Sequence, residues 1–103
     1  EERQIMCRTA ITREEGASKG RYVYRPEDGG ESAELTYSRV SPTRIIVDHT
    51  GVPDSLRGQG IGQALARKAV EDARADGVRI IPLCPFFKAQ AQRHPEWHDV
   101  VEI

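Results

Sequence analysis

The sequence predicts an α+β fold in which a mainly antiparallel mixed sheet, with one parallel strand pair, packs against a long helix after a glycine-rich loop. Three observations favour this fold class: apolar and polar residues alternate in the first half, a helical period begins at Ile61, and a buried apolar run follows the helix. The chain has 103 residues, the length of one domain. We expect residues 1–103 to form a single domain, and we give residues 1–5, a candidate vector remnant before Met6, no functional weight.

Composition argues against several functional classes. The chain has 15 Lys and Arg residues and 16 Asp and Glu residues, and a net charge of -1 does not favour a nucleic-acid partner or an anionic membrane surface. Its two cysteines, Cys7 and Cys84, lie far apart and predict neither a disulfide framework nor a zinc site, so we expect no metal. Because the sequence contains no export signal and no apolar stretch of about 20 residues, we expect a cytoplasmic protein.

The first half of the chain predicts a series of short strands. Residues 5–11 alternate loosely and predict an opening strand, which is followed by a polar connection at residues 14–19. Residues 21–25 carry Tyr-Val-Tyr, and the sequence Pro-Glu-Asp-Gly-Gly then permits a reversal into a partner strand at residues 32–40. A third strand, Arg44–Gly51, completes an antiparallel meander.

The second half begins with a long amphipathic helix. Ile61, Leu65, Ala69 and Ala73 recur every four residues and form an apolar stripe, and Gly77 is placed to end the helix in a left-handed conformation.

A buried strand follows this helix. Residues 78–84 are reached through a helical crossover, so the strand is expected to run parallel to the strand before the loop. Pro82 lacks a backbone donor, which predicts an edge strand or a strand paired only along its first residues. Residues 85–93 predict a short helix that begins with proline, and residues 99–103 predict a last strand that closes the sheet.

The most informative segment is the glycine-rich loop at residues 57–62, Arg-Gly-Gln-Gly-Ile-Gly, which lies between a strand and the long helix. Backbone N–H groups at a helix N-terminus have no partner inside the helix, so they can bind an anion, and glycines let the anion approach closely. A tight turn without a ligand is the alternative. Neither a dinucleotide fingerprint nor a Walker loop fits, because the required third glycine and the Gly-Lys-Ser/Thr sequence are missing.

The pattern Arg-x-x-Gly-x-Gly, with Val52 five residues before Arg57, resembles the pyrophosphate-binding motif of the GNAT superfamily, the N-acyltransferases that depend on acetyl-coenzyme A (acetyl-CoA). The resemblance extends from about Gly20 to the end of the chain. Over this length, the chain is similar to a compact GNAT-like subfamily of about the same size. It implies a GNAT-like fold in which the parallel strand pair splays apart. Further matching segments are Leu35-Thr36-Tyr37, Asp48-His49-Thr50, Pro82-Leu83-Cys84-Pro85-Phe86 and His94-Pro95-Glu96.

The resemblance also implies which residues bind the coenzyme. The backbone of the glycine-rich loop would hold the pyrophosphate, the end of the preceding strand would run beside the pantetheine, and the thioester would lie where the strands splay. Many relatives place an acidic residue at the position of Gly51, so a proton-accepting role would pass here to another group or to water. The expected coenzyme-binding residues are Thr50, Gly51, Val52, Arg57, Gly58, Gln59, Gly60, Ile61 and Gly62.

Cys84 is the first candidate for the chemistry. Larger GNAT enzymes often use a tyrosine after the second splayed strand as a proton donor, whereas Phe86 and Phe87 occupy that neighbourhood here. Cys84 is the nearest titratable side chain, and its place before a helix N-terminus makes a thiolate more available. It could take the acetyl group as a nucleophile or donate a proton to the coenzyme sulfur, and the alternative role is that of a buried packing residue.

His49 is the second candidate, because imidazole suits a general base at neutral pH, and we expect it to form a wall of the cleft. A hydrogen-bonded structural histidine is the alternative. His94 and His98 are expected to be structural, since Pro95 breaks the helical spacing that would align them on a metal.

The resulting prediction is an acetyl-CoA-dependent N-acetyltransferase. The region before the hairpin lacks the two helices that usually cover the acceptor side of GNAT enzymes, so the resemblance implies an open site that favours a protein or peptide amine. A non-catalytic module that binds or senses acyl-CoA is the alternative, because Gly51 and the missing tyrosine both weaken the case for catalysis. A plain interaction domain would require the glycine-rich loop to be only a turn.

Overall fold

The computed structural model describes residues 11–26 and 29–102. They form five strands and two α-helices, with short 3-10 turns at Asp54–Leu56 and Pro95–Trp97. The elements are β1 (Ile11–Glu15), β2 (Lys19–Tyr24), β3 (Ala33–Ser41), β4 (Arg44–Gly51), α1 (Ile61–Asp76), β5 (Arg79–Pro82) and α2 (Pro85–Arg93).

The five strands form one mixed sheet in the order β1-β2-β3-β4-β5. The first four strands pair antiparallel, whereas β4 and β5 run parallel because α1 carries the chain from one to the other. This topology confirms the α+β prediction, the meander and the parallel pair. The β4–β5 register ends at Val47 opposite Pro82, as expected for a proline without a backbone donor.

The cross-strand register divides the sheet residues between two faces. Tyr22, Leu35 and Thr50 lie opposite one another on successive strands, and the Tyr22 hydroxyl donates to Asp72 of α1 at 2.9 Å. This side of the sheet, the helix face, therefore packs against α1. Arg21, Thr36 and His49 form the neighbouring row, which belongs to the opposite side and is called the open face below.

Helix α1 supplies much of the core. Its predicted stripe of Ile61, Leu65, Ala69 and Ala73 is buried, and these side chains share one core cluster with the helix-face residues of the sheet. The helix ends as predicted at Gly77, which has a φ of 70°. Among the described residues, no helix is long and apolar enough to cross a membrane.

One sequence-based prediction of secondary structure lies almost wholly outside the described residues, and another needs correction. The opening strand was expected at residues 5–11, and the structure describes only the last of these residues, Ile11, which begins β1. Residues 14–19 were expected as a polar connection, yet Glu14 and Glu15 belong to β1 and Lys19 to β2, because an exposed edge hairpin accepts charged side chains along its strands. Cys7 lies outside the described residues.

The last strand is also shorter than predicted. After the turn at Pro95–Trp97, the N–H groups of Val100 and Val101 both donate to the Trp97 carbonyl, which winds the chain and leaves little of it extended. The contact with β5 is therefore a single bridge between Val101 and Ile80, and Ile103 is not among the described residues.

Candidate functional site

A cleft of about 670 Å³ lies where the glycine-rich loop enters α1. Seven of the nine residues expected to bind the coenzyme line it, whereas Gly51 and Gln59 do not. The structure adds Leu56, Gln63 and Phe86 to the lining. The full set is Thr50, Val52, Leu56, Arg57, Gly58, Gly60, Ile61, Gly62, Gln63 and Phe86.

The loop forms an unneutralised helix N-terminus on one wall of this cleft. Gly58 and Gly60 have φ values of 81° and 75°, a region that residues with side chains rarely adopt. Gly60 is the N-cap of α1, so no side chain caps the helix, and the first turn contains no acidic residue. The first helical N–H groups thus keep their capacity to bind an anion.

Gly62 has a different role from the other two glycines. A Cβ atom built on Gly62 would lie 2.8 Å from Cζ of Phe86 and 3.4 Å from Cγ2 of Val52. The missing side chain therefore lets α2 and the end of β4 approach the first turn of α1. The sequence motif indicated close approach by a phosphate, whereas the side of Gly62 that a Cβ would occupy is filled by protein.

The polar side chains of the loop have partners in the preceding 3-10 turn. The Arg57 guanidinium forms an ion pair with Asp54 at 3.1 Å, and both side chains are largely exposed. The Gln59 side-chain amide donates to the Ser55 carbonyl at 3.4 Å. The anion-binding capacity of the loop therefore belongs mainly to its backbone.

Strands β4 and β5 separate at the inner end of the cleft. Their last paired residues are Val47 and Pro82, and the N–H groups of Leu83 and Cys84 both donate to the Val47 carbonyl. Strand β4 then continues to Gly51 with β3 as its partner, while the chain after Cys84 turns into α2. This divergence forms the gap that the resemblance implied.

Cys84 and Thr50 meet at this gap. Cys84 is 4% exposed, and its Sγ donates to Thr50 Oγ1 at 3.5 Å. Cys84 is also the N-cap of α2, whose first residue is proline. Thr50 lines the cleft, so the Cys84 thiol lies one contact away from it.

His49 does not line the cleft. Thr36 and Tyr37 pair with His49 and Val47, respectively, so Asp48 is an extra residue in β4. This β-bulge leaves His49 on the open face and Thr50 on the helix face. The His49 side chain is exposed and lies beside Gly51, and no hydrogen bond between described side chains includes its ring. The structure therefore does not bring His49 and Cys84 together on one face.

The bulge also exposes Asp48, which the sequence analysis did not single out. Thr36 Oγ1 donates to one carboxylate oxygen of Asp48, and Ser38 Oγ donates to the other at 3.0 Å. These two partners place the Asp48 side chain on the open face next to His49. A one-residue bulge has no clear signature in the alternation of polar and apolar residues, so no sequence signal could have found this placement.

The two remaining histidines have structural partners. His94 Nδ1 donates to the Gln90 carbonyl at 2.7 Å and its ring stacks on Trp97, while His98 Nε2 donates to the Ala91 carbonyl at 2.9 Å. Within residues 11–26 and 29–102, no group of three or more potential ligand side chains is placed to hold a metal ion.

Comparisons with known proteins agree with this geometry. The sequence profile of the GCN5-related N-acetyl-transferase family matches residues 21–100. An NMR structure of a GCN5-like candidate N-acetyltransferase from Staphylococcus aureus is similar with a TM-score of 0.67 and 34% identity, and the match covers 90% of this chain and 89% of that one.

Two curated relatives are more distant. Protein NATD1 of Xenopus tropicalis is 28% identical over 65 residues, and protein NATD1 of Bos taurus is 29% identical over 65 residues. The matches cover 63% of this chain and 60% and 58% of those two proteins, so the chain spans about three-fifths of their length. Together, the family profile over residues 21–100 and the structural similarity establish that this chain belongs to the GCN5-related N-acetyltransferase family.

Proposed function

We propose that this chain is an N-acetyltransferase that moves the acetyl group of acetyl-CoA to an amine. The observation that carries the proposal is the continuity of one cleft. It extends from the N-terminus of α1, where Gly58 and Gly60 leave backbone donors free, to Thr50 at the gap between β4 and β5. The GCN5-related family generally uses acetyl-CoA, and a long, narrow coenzyme with a charged end and an apolar arm fits such a cleft.

Different residues of the cleft would bind different parts of the coenzyme. The backbone of residues 58–63 would hold the pyrophosphate, because it combines unpaired N–H groups with the positive end of the α1 dipole. Val52, Ile61 and Phe86 supply an apolar wall for the pantetheine arm. Thr50 would meet the thioester end, one hydrogen bond from the Cys84 thiol.

The transfer requires three events. The amine nitrogen attacks the carbonyl carbon, the carbon–sulfur bond breaks, and the coenzyme thiolate takes up a proton while the nitrogen loses one. We assign Cys84 to the coenzyme side, as proton donor to the leaving sulfur or as transient acetyl acceptor. We assign His49 to the acceptor side as general base, because its ring is exposed and lacks a partner among the described side chains.

The acceptor would approach from the open face, where Asp48 and His49 are both exposed. An exposed reaction centre is compatible with an amine on a protein or peptide, because the rest of a large acceptor can remain outside the site. We therefore propose such an amine as the acceptor.

Coenzyme binding is tested with two matched variants, Gly60→Asp and Gly60→Asn. Both residues tolerate the left-handed conformation, and they differ mainly in charge. We expect the Asp variant to bind coenzyme A about ten-fold more weakly than the Asn variant in calorimetry, because its carboxylate would repel the pyrophosphate. The same pair at Gly77, at the other end of α1, serves as the control. Equal affinities of the two Gly60 variants would refute the assignment of the loop.

Catalysis is tested through thiol release with a panel of amines. Cys84→Ser and Cys84→Ala are expected to keep coenzyme binding and to lose turnover by about 10²-fold, the usual scale for an acid–base group. An acetyl mark on Cys84, detected by mass spectrometry without acceptor, would identify the nucleophilic role. Full activity in both variants would refute the catalytic assignment of Cys84. If the unmodified protein binds the coenzyme but acetylates no amine, the result would favour the acyl-CoA-binding module.

A further inference from the structure

In the part of the chain that the structure describes, the open face carries three carboxylates, and their partners differ. Glu14 forms ion pairs with Arg21 and Arg25, both at 2.8 Å, and Glu34 forms one with Arg21 at 3.0 Å. Hydrogen bonds from Arg25, and then from Arg21, hold the pKa of Glu14 below its usual value. The positive charges of Arg21 and Arg25 are thus paired with Glu14 and Glu34.

Asp48 is the exception. Its two carboxylate oxygens accept hydrogen bonds from the hydroxyls of Thr36 and Ser38, and no described Lys, Arg or His side chain forms an ion pair with it. Two neutral donors orient the carboxylate without neutralising its charge, and each oxygen keeps a free lone pair. Among residues 11–26 and 29–102, the Asp48 side chain is therefore an oriented negative charge on the surface without a basic partner.

The bulge places the Asp48 carboxylate near the proposed reaction centre. Asp48 and His49 are consecutive residues on the open face, and the next residue, Thr50, reaches through to Cys84 on the other side of the sheet. Two residues of strand correspond to about 7 Å, so the backbone of Asp48 lies about that far from the backbone of Thr50, although the two side chains leave the strand on opposite faces. A cavity of about 560 Å³, lined in part by Glu14, Thr36 and Asp48, opens beside it.

We propose that Asp48 binds a second cationic group of the acceptor, so that the preferred acceptor is an amine with another positive charge close by. This inference rests on the proposed function. The attacking nitrogen must be neutral when it reacts, so an ammonium or guanidinium that stays bound to Asp48 belongs to a different part of the acceptor. Asp48 is then a positioning residue that determines specificity, whereas His49 faces the attacking nitrogen.

The second cation has two sources, a small diamine or a peptide with neighbouring basic side chains, and both share the chemistry that Asp48 recognises. The test compares matched acceptors: hexamethylenediamine with n-hexylamine, and a short peptide containing two lysines with the same peptide in which norleucine replaces one lysine. In each pair, only the second charge changes. The pair with the larger preference identifies the source.

The variant is Asp48→Asn, which keeps the size of the side chain and an oxygen for the Thr36 or Ser38 hydroxyl. We expect the wild-type protein to have a KM for the doubly charged acceptor about five-fold below that for its singly charged partner, the size of one partly screened ion pair. The variant should lose this preference and keep its kcat with the singly charged acceptor. Added salt should weaken the preference of the wild-type protein as well.

The matched control is Glu34→Gln, because Glu34 lies on the same face but already has Arg21 as its partner. This variant should retain the preference. Lys19 also lines the cavity, and Lys19→Gln shows whether a flexible cation competes for Asp48, in which case the preference should increase. Equal KM values for the two acceptors in the wild-type protein, or a preference that survives in Asp48→Asn, would overturn the inference while leaving the transferase proposal intact.

A protein that acetylates none of these amines would refute the transferase proposal, and the binding of the second cation is then measured directly. In an NMR titration of the coenzyme-A-loaded protein, hexamethylenediamine should shift the amide signals of Thr36, Ser38 and Asp48 at concentrations where n-hexylamine does not. Shifts in the wild-type protein that are absent from Asp48→Asn would support the cation site. The same shifts in both proteins, or none in either, would refute it.

Discussion

Replacing Gly62 with alanine tests the close contact between α1 and α2. The new Cβ would lie 2.8 Å from Cζ and 3.2 Å from Cε2 of Phe86, whereas carbon atoms in contact are normally separated by about 3.5–4.0 Å. The Phe86 ring must therefore move by about 1 Å. The ring is 37% exposed and lines the cleft, so we expect it to move toward that cleft.

The magnitude follows from two opposing effects. Overpacking of this kind costs about 1–3 kcal/mol, and replacing glycine with alanine in a helix returns up to about 1 kcal/mol. We expect a net loss of about 1 kcal/mol in the free energy of unfolding, which lowers the Tm of a domain of this size by about 4–8 °C. Affinity for coenzyme A should also fall, because the displaced ring narrows the cleft.

A double-mutant cycle with Phe86→Ala isolates the contact. Without the ring, Gly62→Ala has no atom of Phe86 to displace, so the same substitution should become neutral or stabilising, which gives a coupling of about 1–2 kcal/mol. Urea denaturation of the four proteins measures it. If Gly62→Ala destabilises the protein equally with and without the Phe86 ring, the close approach is not what requires glycine at this position.

Two further predictions concern the ion pairs and hydrogen bonds around the sheet. Burial, and then the hydrogen bond to Asp72, raise the pKa of Tyr22 above its usual range, so the phenol remains a donor. Tyr22→Phe should therefore lower the free energy of unfolding, measured by urea denaturation, by about 1 kcal/mol. An unchanged stability would mean that this hydrogen bond does not hold α1 to the sheet. The hydrogen bond from Arg39 holds the pKa of Glu15 below its ordinary value of 4.5, so its stabilising effect is complete above that pH and is lost as the pH falls through the lowered pKa. When the pH is lowered from 7 into the acid range, the Tm of Glu15→Gln should therefore fall less than the Tm of the wild-type protein. Parallel curves of Tm against pH would contradict the ion pair.

Much of the fold could be predicted from the sequence because its signals are local. The apolar stripe of α1, the glycine at its end and the proline within β5 each act through a few neighbouring residues. The loop at residues 57–62 could likewise be recognised, since glycines at a helix N-terminus have a direct physical consequence. The family resemblance then related these elements to one another.

The assignment of side chains to the two faces of β4 could not be predicted. Val47 is buried on the helix face, and regular alternation would place His49 beside it and Thr50 on the other face. The extra residue, Asp48, reverses this assignment for everything that follows it in the strand. Bulges arise from the pairing of distant strands, which a single sequence does not encode in any local pattern.

The same extra residue gives β4 two consecutive exposed residues, Asp48 and His49, on one face and keeps Thr50 on the other, so the pairing of the strand decides which side chains meet. Deleting Asp48 would remove the bulge and leave His49 opposite Thr36 and Thr50 opposite Leu35, whereas pairing Asp48 regularly with Thr36 would turn both following side chains to the opposite faces. Substitutions at the two exposed positions, by contrast, leave the backbone register untouched. With the proposed function, the exposed side of this strand can thus vary with the acceptor while Thr50 keeps its place beside Cys84, provided that His49 stays opposite Thr36 and Thr50 opposite Leu35.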